Sequence, residues 1–321
     1  MEFSNNSSLL QQIDFVFIET PLNRPLMIAA FAPLAIVIVI GNALVMLAVR
    51  REPTLREPSH LLLACLALAD LLAGLVAIPL KIVRSHVTCT WETAEYFTIW
   101  SLIFSGVSYV VIVLVNVDRY VAISRPLRYV SMVTSRRVVM VIVAVWVVNL
   151  MRGFMLALPF RGDQFRKFVA VLQIITGVIV MICLVVICSC NLRILIIAKS
   201  QVRRIQRAAH DHPIGIPPPG PKFKQEVKAI RAILLLVVIF CVGLLPSWIL
   251  FAVEYFSDVS YLAWDISFFL QNISSAANPF IYSTKNPFFR KAFRKMFPVF
   301  FKWLDGNKIK VDLEQNNHNL H

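Results

Sequence analysis

Residues 26–49 read LMIAAFAPLAIVIVIGNALVMLAV, an unbroken run without Asp, Glu, Lys or Arg. A helix crosses the ~30 Å hydrocarbon layer of a bilayer with roughly 20 apolar residues. This run is long enough, and it is not alone. Tyr96–Val117, Phe168–Leu192, Ala232–Val253 and Ile266–Thr284 are equally free of charge. Leu61–Leu80 carries one charge, Asp70, and Val138–Phe160 carries one, Arg152. An open backbone finds no hydrogen-bond partner in lipid, so each run must be a helix or a strand of a closed barrel. Barrel strands alternate polar and apolar residues over about 10 positions. These runs do not alternate, so the expected fold is an all-α, seven-transmembrane helix bundle.

Composition agrees. The chain is 58% hydrophobic and 16% charged, where soluble domains carry about 25% charged residues. Too few polar helix faces remain for a large soluble helical protein. The basic residues set the orientation. Segments 50–60, 118–137, 193–231 and 285–321 hold 25 of the 32 Lys and Arg, which places these segments in the cytoplasm. The net charge of +14 is therefore a property of the inner face, suited to anionic membrane lipids and acidic partner surfaces. Because it is split among short loops, nucleic acid is not an expected partner. Overlapping glycosylation acceptors at Asn5 and Asn6 fall on the outer side. The expected organisation is an extracellular N-terminus (1–25), a transmembrane domain (26–285), an amphipathic helix (286–298) and a cytoplasmic tail (299–321). In the amphipathic segment Phe289, Phe293, Met296 and Phe297 share one face between basic residues, the pattern of a short eighth helix lying on the inner membrane surface. Prolines 213, 217, 218, 219 and 221 break the link between the fifth and sixth runs.

Charge inside a membrane is costly and usually serves a purpose. Asp70 lies mid-span, and Ser108, Ser274, Ser275 and Asn278 lie at comparable depth on other runs. Two arrangements are open: a water-filled pocket holding a small cation such as sodium, or a protonated, hydrogen-bonded carboxyl. Arg152 sits near the outer end of the fourth run and is expected to snorkel toward the outer interface; facing a ligand is its alternative. Five cysteines lie within apolar runs and only Cys89 is on the outer side, so no intrachain disulfide is expected. No nucleophile, base or metal constellation suggests an enzyme, and no cofactor is implied beyond a sodium ion.

The motifs appear in a fixed order, each on its own run. Gly41-Asn42 is in the first, Leu68-Ala69-Asp70 in the second, Asp118-Arg119-Tyr120 at the end of the third and Trp146 in the fourth. Phe240 precedes Pro246 in the sixth, and Asn278-Pro279-Phe280-Ile281-Tyr282 is in the seventh. From about Ala29 to Phe297 the chain closely resembles the rhodopsin-like (class A) G protein-coupled receptors.

The resemblance implies a multi-pass plasma-membrane protein in which a ligand shifts the bundle to a state that admits a heterotrimeric G protein. The ligand would be an extracellular or membrane-derived small molecule, peptide or lipid. Arg119 would be the switch, paired at rest with Asp118 and with Glu226. Its release would move the sixth helix outward, a two-state element biased by a charge pair. Leu127 would pack into the G protein, Asn278 and Tyr282 would rearrange near Arg119, and Pro246 would kink the sixth helix. The ligand pocket would be lined by Lys81, Ser101, Ser105, Arg152, Leu244, Trp248, Phe251, Phe268 and Asn272. Lys81, Arg84 and Arg152 form an anionic-ligand set, offset by Glu254, Asp258 and Asp265. The family's amine receptors carry Asp where this chain has Ser101, its opsins Lys at Asn272, and its adenosine receptors Asn at Phe251, so those ligand classes are disfavoured.

The departures are informative too. Ala94 stands where the family carries a disulfide cysteine, Cys183 where it carries a fifth-helix proline, Asn191 where it carries a tyrosine, and Leu244 where it carries the toggle tryptophan. The lost disulfide, short outer loop and lost proline resemble the branch holding melanocortin, cannabinoid and lysophospholipid receptors. A constitutively active or ligand-independent receptor-like protein stays open beside the ligand-gated reading. A transporter is disfavoured, because no internal repeat and no second mid-membrane acid are present.

Overall fold

A computed structural model of the chain describes residues 23–86, 91–157, 163–211, 241–243, 245–250, 253 and 260–298. The first run becomes a helix over Asn23–Arg51. A short 3-10 turn, Pro53–Arg56, leads to the second span. That span is helical over Pro58–Leu72, passes through a π turn at Ala73–Ala77 and resumes as helix over Ile78–His86. The third helix is Trp91–Ser124, followed by a short helix, Pro126–Met132. The fourth is Ser135–Ala157 and the fifth Asp163–Asp211. The sixth is described over part of its run, as helix between Cys241 and Leu250. The seventh is Tyr261–Lys285, and the amphipathic helix is Pro287–Met296.

Five of these helices are long and apolar enough to cross a membrane: the first through the fifth. The second and third are the most buried and the fourth the least. The third helix packs against the second, fourth and fifth, while the first packs against the second and seventh. Val107, Val111 and Leu66 are fully buried at the centre, whereas Val139, Val143, Val147 and Met151 of the fourth helix face outward. An exposed apolar face of that extent suits lipid rather than water.

Two ends follow from local chemistry. The amphipathic helix starts at Asn286, whose side chain accepts from the Phe288 and Phe289 amides at 3.0 and 3.4 Å, with Pro287 at the first helical position. Its face is set by Phe289, Ala292 and Phe293, which are buried; Met296 is half-buried. Phe297, expected on that face, is exposed, because the helix ends at Met296 and the chain turns away. Lys295 Nζ meets Glu52 Oε1 at 2.7 Å, and His60 packs edge-on against Phe288 and Phe289. The helix is thus tied to the inner ends of the first two spans.

The first and seventh helices approach closely where Gly41 faces Pro279. A Cβ at Gly41 would come within 2.8 Å of Pro279 Cγ. Gly41→Leu is therefore expected to lower the melting temperature of the solubilised protein, since overpacking a tight contact costs about 1–3 kcal/mol. An unchanged melting temperature would mean that the two helices separate freely.

Candidate functional site: a buried carboxylate cluster and an arginine at the end of the third helix

Few polar residues enter these apolar runs, and the helix rotations bring most of them together. Asp70, 2% exposed, sits one turn before the π turn of the second span. Its Oδ1 accepts from Ser275 Oγ at 2.8 Å and Ser108 Oγ at 3.4 Å, and its Oδ2 accepts from Asn278 Nδ2 at 2.7 Å. The third and seventh helices are thereby pinned to a carboxylate of the second. Asn42 joins the first helix to the same level, donating to the Ser275 carbonyl at 3.3 Å and to the Ile38 carbonyl at 2.9 Å.

Beside the cluster lies a cavity of about 40 Å³. A water needs roughly 10–15 Å³ measured this way, so a few waters or one hydrated ion fit. The cavity runs from Asp70, Ser108, Ser274, Ser275 and Asn278 outward past Tyr109 and Gln271 to Ser101, Ser105, Phe268 and Asn272. The residues expected for a cation site and those expected for a ligand pocket therefore line one continuous space. A carboxylate among hydroxyl oxygens is the donor set a small hard cation takes. Among the described residues no group of His, Cys, Asp and Glu suits a transition metal.

The remaining expected pocket residues lie elsewhere. Lys81 forms an ion pair with Asp265, both side chains under 10% exposed. The pair joins the second span to the seventh helix and is not part of the cavity lining. Trp248 packs over Gly177 of the fifth helix. Leu244, Phe251, Glu226, Cys89 and the glycosylation acceptors Asn5 and Asn6 lie outside the described residues, as do the sixth-helix Phe240 and the side chains of Arg84 and Tyr282.

Arg152 does not snorkel outward. Its guanidinium turns in against the third helix, where Nη2 donates to the Leu102 carbonyl and Nη1 donates to Thr176 Oγ1 of the fifth helix at 3.4 Å. The reason is space: Gly106 has no side chain, and a Cβ there would sit 2.8 Å from Nη2. A carbonyl within reach and a slot to enter make the inward rotamer the better solvated one.

Near the C-terminal end of the third helix, Asp118 is buried. Arg119 Nε lies 3.7 Å from Asp118 Oδ2. The other oxygen, Oδ1, accepts from the Tyr129 hydroxyl at 2.8 Å, and that hydroxyl is 2.8 Å from Ser59 Oγ on the second span. Burial pushes the Tyr129 phenol above its ordinary value, so it keeps its proton and stays a donor. This chain of contacts fixes the short helix Pro126–Met132, on which Leu127 stands 95% exposed. Tyr120 is half-buried in the last turns of the third helix.

Sequence reasoning missed three features. Tyr129 was legible only as a neighbour of Leu127, not as a ligand of Asp118. Asn116 and Asn191 form a buried bridge between the third and fifth helices, Asn191 Nδ2 donating to Asn116 Oδ1 at 2.7 Å. The departure at Asn191 signalled something different there, but Asn116 carried no signal. The Lys81–Asp265 pairing was also unseen. Cys65, Cys183, Cys188, Cys190 and Cys241 are free thiols.

The order of helices, with a tethered carboxylate at the centre of the bundle and an arginine at the end of the third helix, is that of a membrane receptor of the seven-helix type. The family model for the 7 transmembrane receptor (rhodopsin family) matches residues 41–282, and the chain belongs to that family of G protein-coupled receptors. It is 25% identical over 308 residues to the histamine H2 receptor of Cavia porcellus, covering 89% of this chain and 83% of that receptor. It is 27% identical over 303 residues to the adenosine receptor A2b of Canis lupus familiaris, covering 84% and 89%. It is 27% identical over 302 residues to the trace amine-associated receptor 7e of Mus musculus, covering 86% and 83%. These relatives lend nothing to the melanocortin, cannabinoid and lysophospholipid resemblance. The protein is a multi-pass plasma-membrane receptor that signals through a G protein; it is not an enzyme.

Proposed function

We propose that the N-terminus is extracellular, that a small molecule enters the outer end of the Asp70 cavity, and that Arg119 is the switch through which it acts on the G protein. The observation that carries this reading is the inner-face arrangement: Arg119 beside a buried Asp118, with Leu127 presented bare on the adjoining short helix. A large apolar side chain held rigidly in the open is what a docking partner needs. Sodium at Asp70 holds the resting bundle together, with the carboxylate and the hydroxyls of Ser108 and Ser275 as ligands. Glu226 pairs with Arg119 at rest, and Tyr282 moves toward Arg119 in the active state. The basic inner loops and the Arg290–Lys295 face of the amphipathic helix sit on anionic lipid. The relatives' names specify histamine, adenosine and trace amines, all small molecules, which supports a small-molecule ligand here. Ser101 and Phe251 argue against those particular three.

Expressed in cells, the chain is expected to accelerate guanine-nucleotide exchange on at least one G protein subtype. Glu226→Ala is expected to raise basal exchange several-fold; no rise would release Glu226 from the switch. Glycan mapping at Asn5 and Asn6 and protease protection of the Arg119 side test the orientation. Glycans and Arg119 found on one side of the membrane would overturn it.

A further inference from the structure

We propose that Ser131 is a phosphorylation site for a kinase that reads basic residues, and that a phosphate there closes the Leu127 docking face to the G protein. The inference rests on the orientation and the Leu127 role proposed above.

Ser131 stands four residues after Leu127 on the short helix Pro126–Met132, so the two share one helix face. Both are exposed, and no residue of that helix is buried. Arg128, also exposed, precedes Ser131 by three residues, the spacing at which basophilic kinases read a cation beside the hydroxyl they modify. A kinase takes its substrate extended. Val130, Ser131 and Met132 are all exposed, and a helix of 7 residues is too short to stand by itself. This last turn opens while Tyr129 stays tied to Asp118 and Ser59. The Ser131 hydroxyl gives up only its bond to the Arg128 carbonyl, at 2.9 Å. The same arginine spacing occurs at Thr54 and Ser59, and neither is free to be drawn out. Ser59 is buried and bonded to Tyr129, and Thr54 is followed by the fully buried Leu55, which pins its turn.

The step moves the γ-phosphoryl group of ATP. The bond from phosphorus to the β–γ bridging oxygen breaks as the bond to Ser131 Oγ forms. ADP leaves with the bonding pair, and the hydroxyl proton passes to the kinase's base. The product carries a charge of about −1.5 to −2. A cation to hold it is in place. Arg137, in the first turn of the fourth helix, donates from Nη1 to the Ser131 and Met132 carbonyls at 3.1 and 2.8 Å. Guanidinium–phosphate bonds are charge-assisted and stronger than bonds to a neutral carbonyl, so the phosphate stays on the helix. Leu127 then has this charge one turn away on its own face. Burying Leu127 in a partner would strip water from the phosphate as well, the setting in which phosphorylation disrupts an apolar contact.

The test uses the full chain purified in detergent, ATP, and two kinases of this specificity, a cyclic-AMP-dependent catalytic subunit and a calcium/calmodulin-dependent kinase. Peptide mass mapping is expected to find phosphate at Ser131, absent in Ser131→Ala and much reduced in Arg128→Gln. Both side chains are exposed, and both variants are expected to melt as the native chain does. Kinase treatment is expected to lower the native chain's apparent affinity for the G protein about 30-fold, the loss expected when a central contact is removed. The same treatment is expected to change nothing in Ser131→Ala. No phosphate at Ser131 with either kinase, an equal yield in Arg128→Gln, or coupling unaltered by the phosphate would each overturn the proposal. The mapping needs no G protein, so a chain that takes the phosphate but drives exchange on no subtype sinks the receptor reading and not the site.

Discussion

Lys81→Met is expected to cut surface expression sharply and lower the melting temperature of what is made, and adding Asp265→Leu to the same chain is expected to restore both. Lys81 and Asp265 are 6% and 5% exposed, so water screens neither charge. Removing one partner leaves a lone carboxylate out of water, which typically costs about 3–5 kcal/mol. Replacing both with apolar residues of similar size is often neutral or stabilising. The asymmetry between single and double variant is the signature of a buried pair. Its place gives it a functional side as well. Lys81 follows the cavity-lining Ala77 by one turn, and Asp265 precedes the cavity-lining Phe268 by one turn. The pair therefore ties the second span to the seventh helix one turn beyond the cavity lining. A native-like melting temperature in Lys81→Met alone would mean that this tie holds nothing.

That pair also marks the limit of what the sequence disclosed. The number of spans was legible because lipid imposes one simple demand, a run of about 20 uncharged residues. Helix ends were not, because a helix need not stop where lipid does. The fifth continues from its apolar run to Asp211, through good helix formers such as Arg203, Gln206 and Ala208, and stops just short of Pro213. The π turn Ala73–Ala77 left no trace in a stretch of small and aliphatic residues. The Asp70 cluster was legible, since Ser108, Ser275 and Asn278 are among few polar residues at that depth and an isolated carboxylate must recruit them. Lys81 and Asp265 were each visible, but pairing them requires the rotation of two helices far apart in sequence. Arg152 was read against lipid alone; the slot made by Gly106 on a different helix decided its direction.

Arg119→Ala is expected to abolish guanine-nucleotide exchange with little effect on melting temperature, whereas Asp118→Asn is expected to raise basal exchange. The geometry separates the two. Arg119 is partly exposed and, among the described residues, makes one long ion pair, Nε to Asp118 Oδ2 at 3.7 Å, so the folded bundle loses little without it. Asp118 is buried and anchors two elements at once, Arg119 and the Tyr129–Ser59 contact. Neutralising it weakens the electrostatic hold on the guanidinium while leaving an oxygen for Tyr129. The partner side is tested by Leu127→Asp, expected to reduce apparent affinity for the G protein by about 30-fold, the effect of losing a central contact worth ~2 kcal/mol. Because Leu127 is 95% exposed, that substitution leaves the receptor's own packing untouched. A Leu127→Asp chain that couples normally would remove the short helix Pro126–Met132 from the docking surface. An Arg119→Ala chain that still drives exchange would remove the switch itself, and with it the reason for a buried acid beside a partly exposed guanidinium.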